Sequence, residues 1–277
     1  MSLTSFLKNP DVRERFKSEF PKPSLGVTKE LLAPPLSQNF SLVGTAFDYL
    51  LRFYIQRLNP KSITGDWIAE QAALCDIEFD DCSISLPQIV MEAKKSHLAY
   101  LRCGTIEEKL LRQTICLAQL DAICRRGLLF GSENSYFKSI GKVDLKDIQD
   151  LRRLMALVRP ETFKSKKVSI LNPAFGRASE LVGGADCDLV IDDLLVEIKT
   201  SKYFQVERSH FDQLIGYYFL SKIGGIDGAP KGHEVKRLGI YFSRHGYLWT
   251  FQVGDVIKME QLARFTTWFR SVAESQS

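Results

Sequence analysis

The chain lacks several motifs that would assign a function directly. None of its six cysteines forms a CxxC or CxxH pair, so no zinc site of that spacing is expected. No GxxxxGK[ST] loop is present, so any helicase or other ATP-driven partner would be a separate chain. No nucleophile elbow lies near a histidine, which argues against a serine or cysteine hydrolase.

Long apolar runs and a strong charge bias are also missing. The opening stretch, MSLTSFLKNPDVRERF, is unlike a signal peptide, and no stretch reaches membrane-spanning length. We therefore expect no membrane partner. Cysteines without disulfide spacing are ordinary in a reducing compartment, so the expected location is the cytoplasm. The net charge of +4 permits a polyanionic partner without indicating one.

The chain does have an ordered change of pattern along its length. Prolines interrupt residues 1–40, which we interpret as an N-terminal arm with short helices. Residues 41–58 predict a helix with Thr45 as its N-cap. Residues 61–160 show apolar residues at helical spacing and predict a helical insertion without strands. Residues 161–277 predict strands and helices of a sheet core, so 41–277 is predicted to be one α/β domain with a mixed sheet flanked by helices.

Charged side chains interrupt two of the predicted strands, in GGADCDLVIDDLLVEIKTSK at 183–202. With Asp192-Asp193 as a two-residue turn, Leu189 faces Val196 and Asp188 faces Glu197. Two facing carboxylates repel each other, and a divalent cation with Lys199 beside it would offset that repulsion.

A solvated hairpin with ordinary surface charges is the alternative interpretation of this pattern. Such a hairpin would alternate polar and apolar residues along its length, whereas the run Leu194-Leu195-Val196 precedes the charges without a break. That run favours a strand covered on both faces, with the charges at its end.

Together with Gln213 and Tyr217 on the next predicted helix, these residues resemble the PD-(D/E)XK nuclease superfamily. The Asp strand, the Glu-x-Lys strand and the Gln-x-x-x-Tyr helix are similar to its RecB-type exonuclease branch. The resemblance covers the elements at 41–58 and 165–255 and leaves the helical insertion unaccounted for. It implies a restriction-endonuclease-like core with this insertion after the first core helix.

The resemblance also implies roles for single residues. Asp188, Glu197 and the backbone carbonyl of Ile198 would bind Mg²⁺ or Mn²⁺, and Lys199 would orient the attacking water and offset charge on the phosphate. The pair Gln213 and Tyr217 would sit beside the active site.

Five further residues are weighed less firmly. Asp48 is either a metal or metal-supporting residue or the third residue of a capping box with Thr45. Asp186 would face Lys199 and is an accessory metal or salt-bridge candidate. Lys202, Lys166 and Lys167 could contact phosphates, although a basic run is more often a solvated loop.

The leading functional hypothesis is a metal-dependent nuclease that hydrolyses phosphodiester bonds, with DNA as the expected partner. The resemblance favours exonuclease-like processing in repair, recombination or defence, with a helicase or repair protein as a separate partner. The alternative is a nucleic-acid-binding or scaffolding protein whose nuclease core is inactive. The sequence leaves strand preference, polarity and oligomeric state open.

Overall fold

A computed structural model describes residues 2–74, 85–126 and 139–276 of the chain. In these ranges six strands form one mixed sheet, in which their spatial order is their order along the chain. The strands are β1 (Ile63–Thr64), β2 (Ser169–Leu171), β3 (Leu189–Ile191), β4 (Leu194–Lys199), β5 (Arg237–Phe242) and β6 (Tyr247–Gln252). The pairs β1–β2 and β4–β5 are parallel and the other neighbours antiparallel. The predicted α/β class with a mixed sheet is confirmed.

The β3–β4 hairpin has the predicted register. Leu189 pairs with Val196 and Ile191 pairs with Leu194 across the Asp192-Asp193 turn. Asp192 adopts a φ of 52°, the left-handed conformation that tight hairpin turns require and that Asp tolerates. Since side chains alternate between the faces of a strand, this register fixes which face each charged residue occupies.

The first core helix and the insertion cover one face of the sheet. Side chains of β3 and β4 at Leu189, Leu194 and Val196 belong to the core on this face, which we call the insertion face. The helices are α3 (Phe40–Leu58), α4 (Ile68–Ala73), α5 (Leu86–Cys103), α6 (Glu108–Arg126), α7 (Leu145–Ala156) and α8 (Pro160–Phe163). Burying apolar stripes on both sides of a sheet is what makes its central strands almost wholly apolar.

The opposite face, which we call the α10 face, packs against helices from both ends of the chain. Val190, Leu195 and Ile240 point into this second core. Its helices are α1 (Leu3–Phe6), α2 (Pro10–Glu19), α9 (Arg177–Leu181), α10 (Arg208–Gly224), α11 (Val253–Val256) and α12 (Met259–Gln276). The arm is tied to this face by aromatic contacts such as Phe6 with Phe269, whose ring centroids are 5.2 Å apart.

Two local predictions are wrong. Helix α3 begins at Phe40 with Asn39 as its N-cap, so Thr45 is an interior residue and the capping box with Asp48 does not exist. The helix extends upstream because Val43 continues its buried stripe. The two-residue strand β1 also lies at the start of a region predicted to be free of strands, since two exposed residues carry no periodic signal.

Candidate functional site

A polar pocket of about 290 Å³ opens at the end of the hairpin where β3 begins and β4 ends. Asp188 and Glu197 lie on its wall, and Asp48 of α3 reaches it from the insertion side. Helix α10 contributes Gln213 and Tyr217. Further lining residues are Ser2, Leu3, Thr4, Gly44, Thr45, Arg125, Gly184, Ala185, Asp186, Ile198 and Thr200. The structure therefore gathers side chains from the arm, α3, the insertion, the hairpin and α10 at one point.

The two facing acids of the hairpin lie together in this pocket. Glu197 is 6% exposed, and its strand position puts it on the α10 face. Asp188 directly precedes β3, and its Oδ2 accepts a hydrogen bond from the Ile198 N–H at 2.5 Å. That contact ties the Asp188 carboxylate to the end of β4, beside Glu197.

Lys199 joins the acids to α10. Its Nζ donates to Glu197 Oε1 at 2.8 Å and to Gln213 Oε1 at 3.2 Å. The Gln213 amide then donates from Nε2 to the Tyr217 hydroxyl at 2.7 Å. Because Gln213 and Tyr217 are one helical turn apart, α10 presents both on the same side. Four residues of the D…ExK…QxxxY pattern thus form one hydrogen-bonded group, and Asp188 lies beside it through its bond to the Ile198 N–H.

Burial makes this group electrostatically unusual. Burial raises the pKa of Asp188 well above its ordinary value, and the charges of Glu197 and Asp48 raise it further, against the Ile198 N–H. Burial likewise raises the pKa of Glu197, although Lys199 opposes this. Burial alone would lower the pKa of Lys199, but the neighbouring acids, chiefly Glu197 and then Asp188, together raise that pKa, so the lysine stays charged.

Two carboxylate oxygens in the pocket lack partners. Glu197 Oε2 and Asp48 Oδ1 are both buried, and neither has a hydrogen-bond partner within the described residues. A buried anionic oxygen without a partner is costly, so both oxygens favour a cation in the pocket. The donor set consists of hard oxygen ligands, as Mg²⁺ and Mn²⁺ prefer.

No cluster of three or more His, Cys, Asp or Glu side chains with metal-site spacing occurs in the ranges 2–74, 85–126 and 139–276. Magnesium is commonly held by one or two protein carboxylates, with waters and substrate oxygens as its other ligands. Asp188 and Glu197 therefore fit such a cation as a pair.

Of the two less firmly predicted acids, Asp48 is better placed to act as a metal or metal-supporting residue. Its Oδ2 accepts from Arg52 at 2.6 Å, and its buried Oδ1 has no hydrogen-bond partner among the described residues. Asp186 lines the pocket but does not pair with Lys199; it contacts Arg125 Nη2 at 3.5 Å. The pairing of Asp186 with Lys199 is wrong because Asp186 instead forms a bridge with Ala174, outside the β3–β4 ladder.

The predicted phosphate-contacting lysines lie outside the pocket. Lys166 and Lys167 stand beside the Asp192 turn, to which their backbone N–H groups donate. This turn is four residues from Asp188, or about 13 Å along a strand. Lys202 is exposed and lies over the Tyr203 ring at 5.1 Å. The structure brings none of these lysines to the acids.

Sequence reasoning missed a second ion pair at the pocket. Arg125 of α6 donates from Nε to Asp121 at 2.6 Å, and Asp121 is also held by the Tyr49 hydroxyl at 3.1 Å. An i,i+4 Asp–Arg pair on a predicted helix was the available signal, but such pairs are common on exposed helix faces.

A buried ion pair next to the strand end that carries Lys199 was also not predicted from the sequence. Arg244, which follows β5, is fully buried and donates to both carboxylate oxygens of Asp150 on α7, at 2.8 and 2.9 Å. The neighbouring Ser243 hydroxyl bonds the Thr200 hydroxyl at 3.0 Å. These contacts fix the chain directly after Lys199 to the insertion.

Comparison with known proteins identifies no family for this chain. No family model, curated protein or solved structure matches the chain significantly. None of the helices in the described ranges has both the length and the apolar composition needed to cross a membrane.

Proposed function

We propose that the protein is a metal-dependent nuclease that hydrolyses phosphodiester bonds, with DNA as its substrate. The observation that carries the proposal is the hydrogen-bonded group Glu197–Lys199–Gln213–Tyr217 beside Asp188. Paired acids with one ammonium group suit phosphoryl transfer, because they supply cation ligands and a positive charge at the same place.

The arrangement of elements supports a restriction-endonuclease-like core. The core elements follow one another along the chain as helix α3, the three antiparallel strands β2–β4, helix α10 and the parallel strand β5. They are interrupted by the insertion after α3 and by the short helix α9 between β2 and β3. Asp188 directly precedes the second of these core strands and Glu197 lies near the end of the third, which supports the resemblance to the PD-(D/E)XK superfamily. The proposed setting is the cytoplasm, with an exonuclease-like role in repair, recombination or defence.

Mg²⁺ or Mn²⁺ would be held by Asp188, Glu197 and the Ile198 carbonyl, with Asp48 as a further acid beside them. When bound, the cation would polarise the phosphate and acidify the attacking water. Lys199, charged and held between Glu197 and Gln213, would orient that water and offset charge on the phosphate oxygens. Gln213, fixed by Tyr217, would hold the lysine in position.

The second candidate function is a nucleic-acid-binding or scaffolding protein with an inactive nuclease core. This alternative predicts a different experimental result from the nuclease, because such a protein would bind DNA without cutting it. The intact group of acids, lysine, glutamine and tyrosine favours the active enzyme.

The test is a cleavage assay with linear, nicked and circular DNA, single strands and RNA, in Mg²⁺, Mn²⁺ or EDTA. We expect cleavage with either cation, none in EDTA, and a loss of at least about a hundredfold in Lys199→Ala, the size of a removed transition-state charge contact. Lys258→Ala is the matched control, since this lysine is exposed and lies outside the pocket. Full activity in Lys199→Ala would refute the assigned roles, and binding without cleavage would favour the scaffold.

A further inference from the structure

Arg125 of the insertion is a prepositioned cation on the wall of the acidic pocket. Its side chain is 52% exposed, while the Asp121 side chain that holds its Nε is 3% exposed. Asp121 accepts in turn from Tyr49, whose hydroxyl also accepts from the Ala69 N–H at 3.3 Å. Buried hydrogen bonds thus fix the Nε of Arg125, while its terminal guanidinium nitrogens reach solvent.

The outer end of Arg125 is only weakly engaged. Its Nη2 contacts Asp186 at 3.5 Å, at the limit of a hydrogen bond, whereas its Nε bond to Asp121 is 2.6 Å long. A guanidinium has five N–H donors in a planar fork, and this shape matches two oxygens of a phosphate. The fork therefore retains donor capacity on the side that borders the pocket.

The charge of the pocket wall makes such a contact favourable for an anionic substrate. The wall carries the acids Asp48, Asp186, Asp188 and Glu197. A bound divalent cation would offset two of these charges, and Lys199 and Arg52, bonded to Glu197 and Asp48, would offset the other two. Arg125 would then add net attraction for a phosphate. Among the pocket-lining side chains in the described part of the chain, Arg125 carries positive charge.

We propose that Arg125 binds a phosphate of the substrate strand, which makes the helical insertion part of the substrate site. This inference rests on the proposed nuclease function and extends it to a residue outside the D…ExK…QxxxY pattern. From Arg125 the strand would continue beside α6, where Thr45 borders both this pocket and a groove of about 700 Å³ lined by Ala118 and Ala122.

The alternative is a structural role, in which Arg125 ties the insertion to the Asp186 loop. An exposed ion pair of this length contributes little to stability. The two roles differ in what they change: a phosphate contact changes DNA affinity and its salt dependence, and a tether changes unfolding.

The experiment compares Arg125→Ala, Arg125→Lys and Arg112→Ala. Arg112 is a matched control because it lies on the same helix, is 41% exposed and pairs with Glu108 four residues before it, away from the pocket. Binding of a fluorescein-labelled duplex with a single-stranded overhang is measured by anisotropy in Ca²⁺ across a series of salt concentrations. Cleavage of the same DNA is measured in Mg²⁺, and unfolding in urea.

For Arg125→Ala we expect a Kd roughly tenfold or more above that of the wild type, as for a lost charge-assisted bond. A plot of the logarithm of the association constant against the logarithm of the salt concentration has a negative slope. In this variant the slope should be shallower by about 0.7 to 0.9, as for the loss of one phosphate contact. Arg125→Lys should recover the slope but only part of the affinity, because the fork is lost. Arg112→Ala should match the wild type in both.

The inference is overturned if Arg125→Ala has the same Kd and the same salt dependence as the wild type. A lower urea midpoint in that variant would then show that Arg125 has a structural role, tying the insertion to the Asp186 loop. If the wild type cuts DNA normally in that case, the inference falls and the proposed function stands. If the wild type neither binds nor cuts DNA, the proposed function falls and takes the inference with it.

Discussion

Replacing Asp188 by Asn should stabilise the fold in the absence of divalent cations. The substitution preserves the shape of the side chain and an oxygen that accepts from the Ile198 N–H, while it removes a buried charge beside Glu197 and Asp48. An enzyme commonly holds such unfavourable charge in its active site at a cost in stability.

The facing positions of Asp188 and Glu197 allow an estimate of the gain. Side chains that face each other across a hairpin start about 5 Å apart, and two charges at that distance repel by about 3 kcal/mol at an effective dielectric constant of 20. Lys199 offsets part of this repulsion, so we expect the free energy of unfolding to rise by about 1 to 3 kcal/mol. For a chain of this size, that corresponds to about 2 to 6 °C in Tm.

The gain should depend on pH in a defined direction. Because the folded pKa of Asp188 is raised above its unfolded value, the folded state favours the protonated acid. Stability from this group is fully present below the unfolded pKa near 3.8 and is lost as pH rises through the folded pKa. The free energy of unfolding of Asp188→Asn should therefore exceed that of the wild type at pH 8 and equal it near pH 3.5.

Thermal and urea unfolding in EDTA across this pH range provide the assay. Asp193→Asn is a suitable control, since Asp193 sits at the other end of the hairpin and pairs with Arg237 at the surface. It should be neutral or slightly destabilising. The electrostatic reasoning is refuted if Asp188→Asn lowers Tm at pH 8, or if its gain is the same at both pH values.

Two further substitutions test the groups that position the site. Tyr217→Phe removes the hydroxyl that holds the Gln213 amide, so we expect roughly a tenfold fall in kcat with a stability loss of about 1 kcal/mol; unchanged kcat would show that Gln213 needs no such support. Asp150→Ala leaves the buried Arg244 charge without its partner and should cost about 3 to 5 kcal/mol in urea unfolding. The exposed Arg153→Ala on the same helix should change little, and equal effects of the two would contradict this account.

The hairpin was predictable because its information is local. The Asp192-Asp193 turn and the apolar runs beside it fix the register up to the Leu189–Val196 pair, and Asp188 and Glu197 are the next residues beyond that pair. The helical spacing of Gln213 and Tyr217 is local in the same way. These features carry most of the candidate site.

The remaining features depend on contacts between distant parts of the chain. Arg244 and Asp150 are 94 residues apart, and nothing in either local pattern indicates the other. The role of Asp48 was ambiguous because a carboxylate three residues after a threonine fits a helix start as well as a helix interior. Only the position of the α3 N-terminus at Phe40 removes the capping alternative. Residues 75–84 and 127–138, which belong to the predicted helical insertion, lie outside the described residues.

Calorimetric titration of Mn²⁺ into the wild type, Asp188→Asn and Glu197→Gln tests the central claim most directly. The two acids are proposed to hold one hard cation between them, so the wild type should bind Mn²⁺ saturably and each variant at least about tenfold more weakly, the equivalent of about 1.4 kcal/mol. Equal binding by all three proteins, or none by the wild type, would contradict a cation site built from this pair of strands.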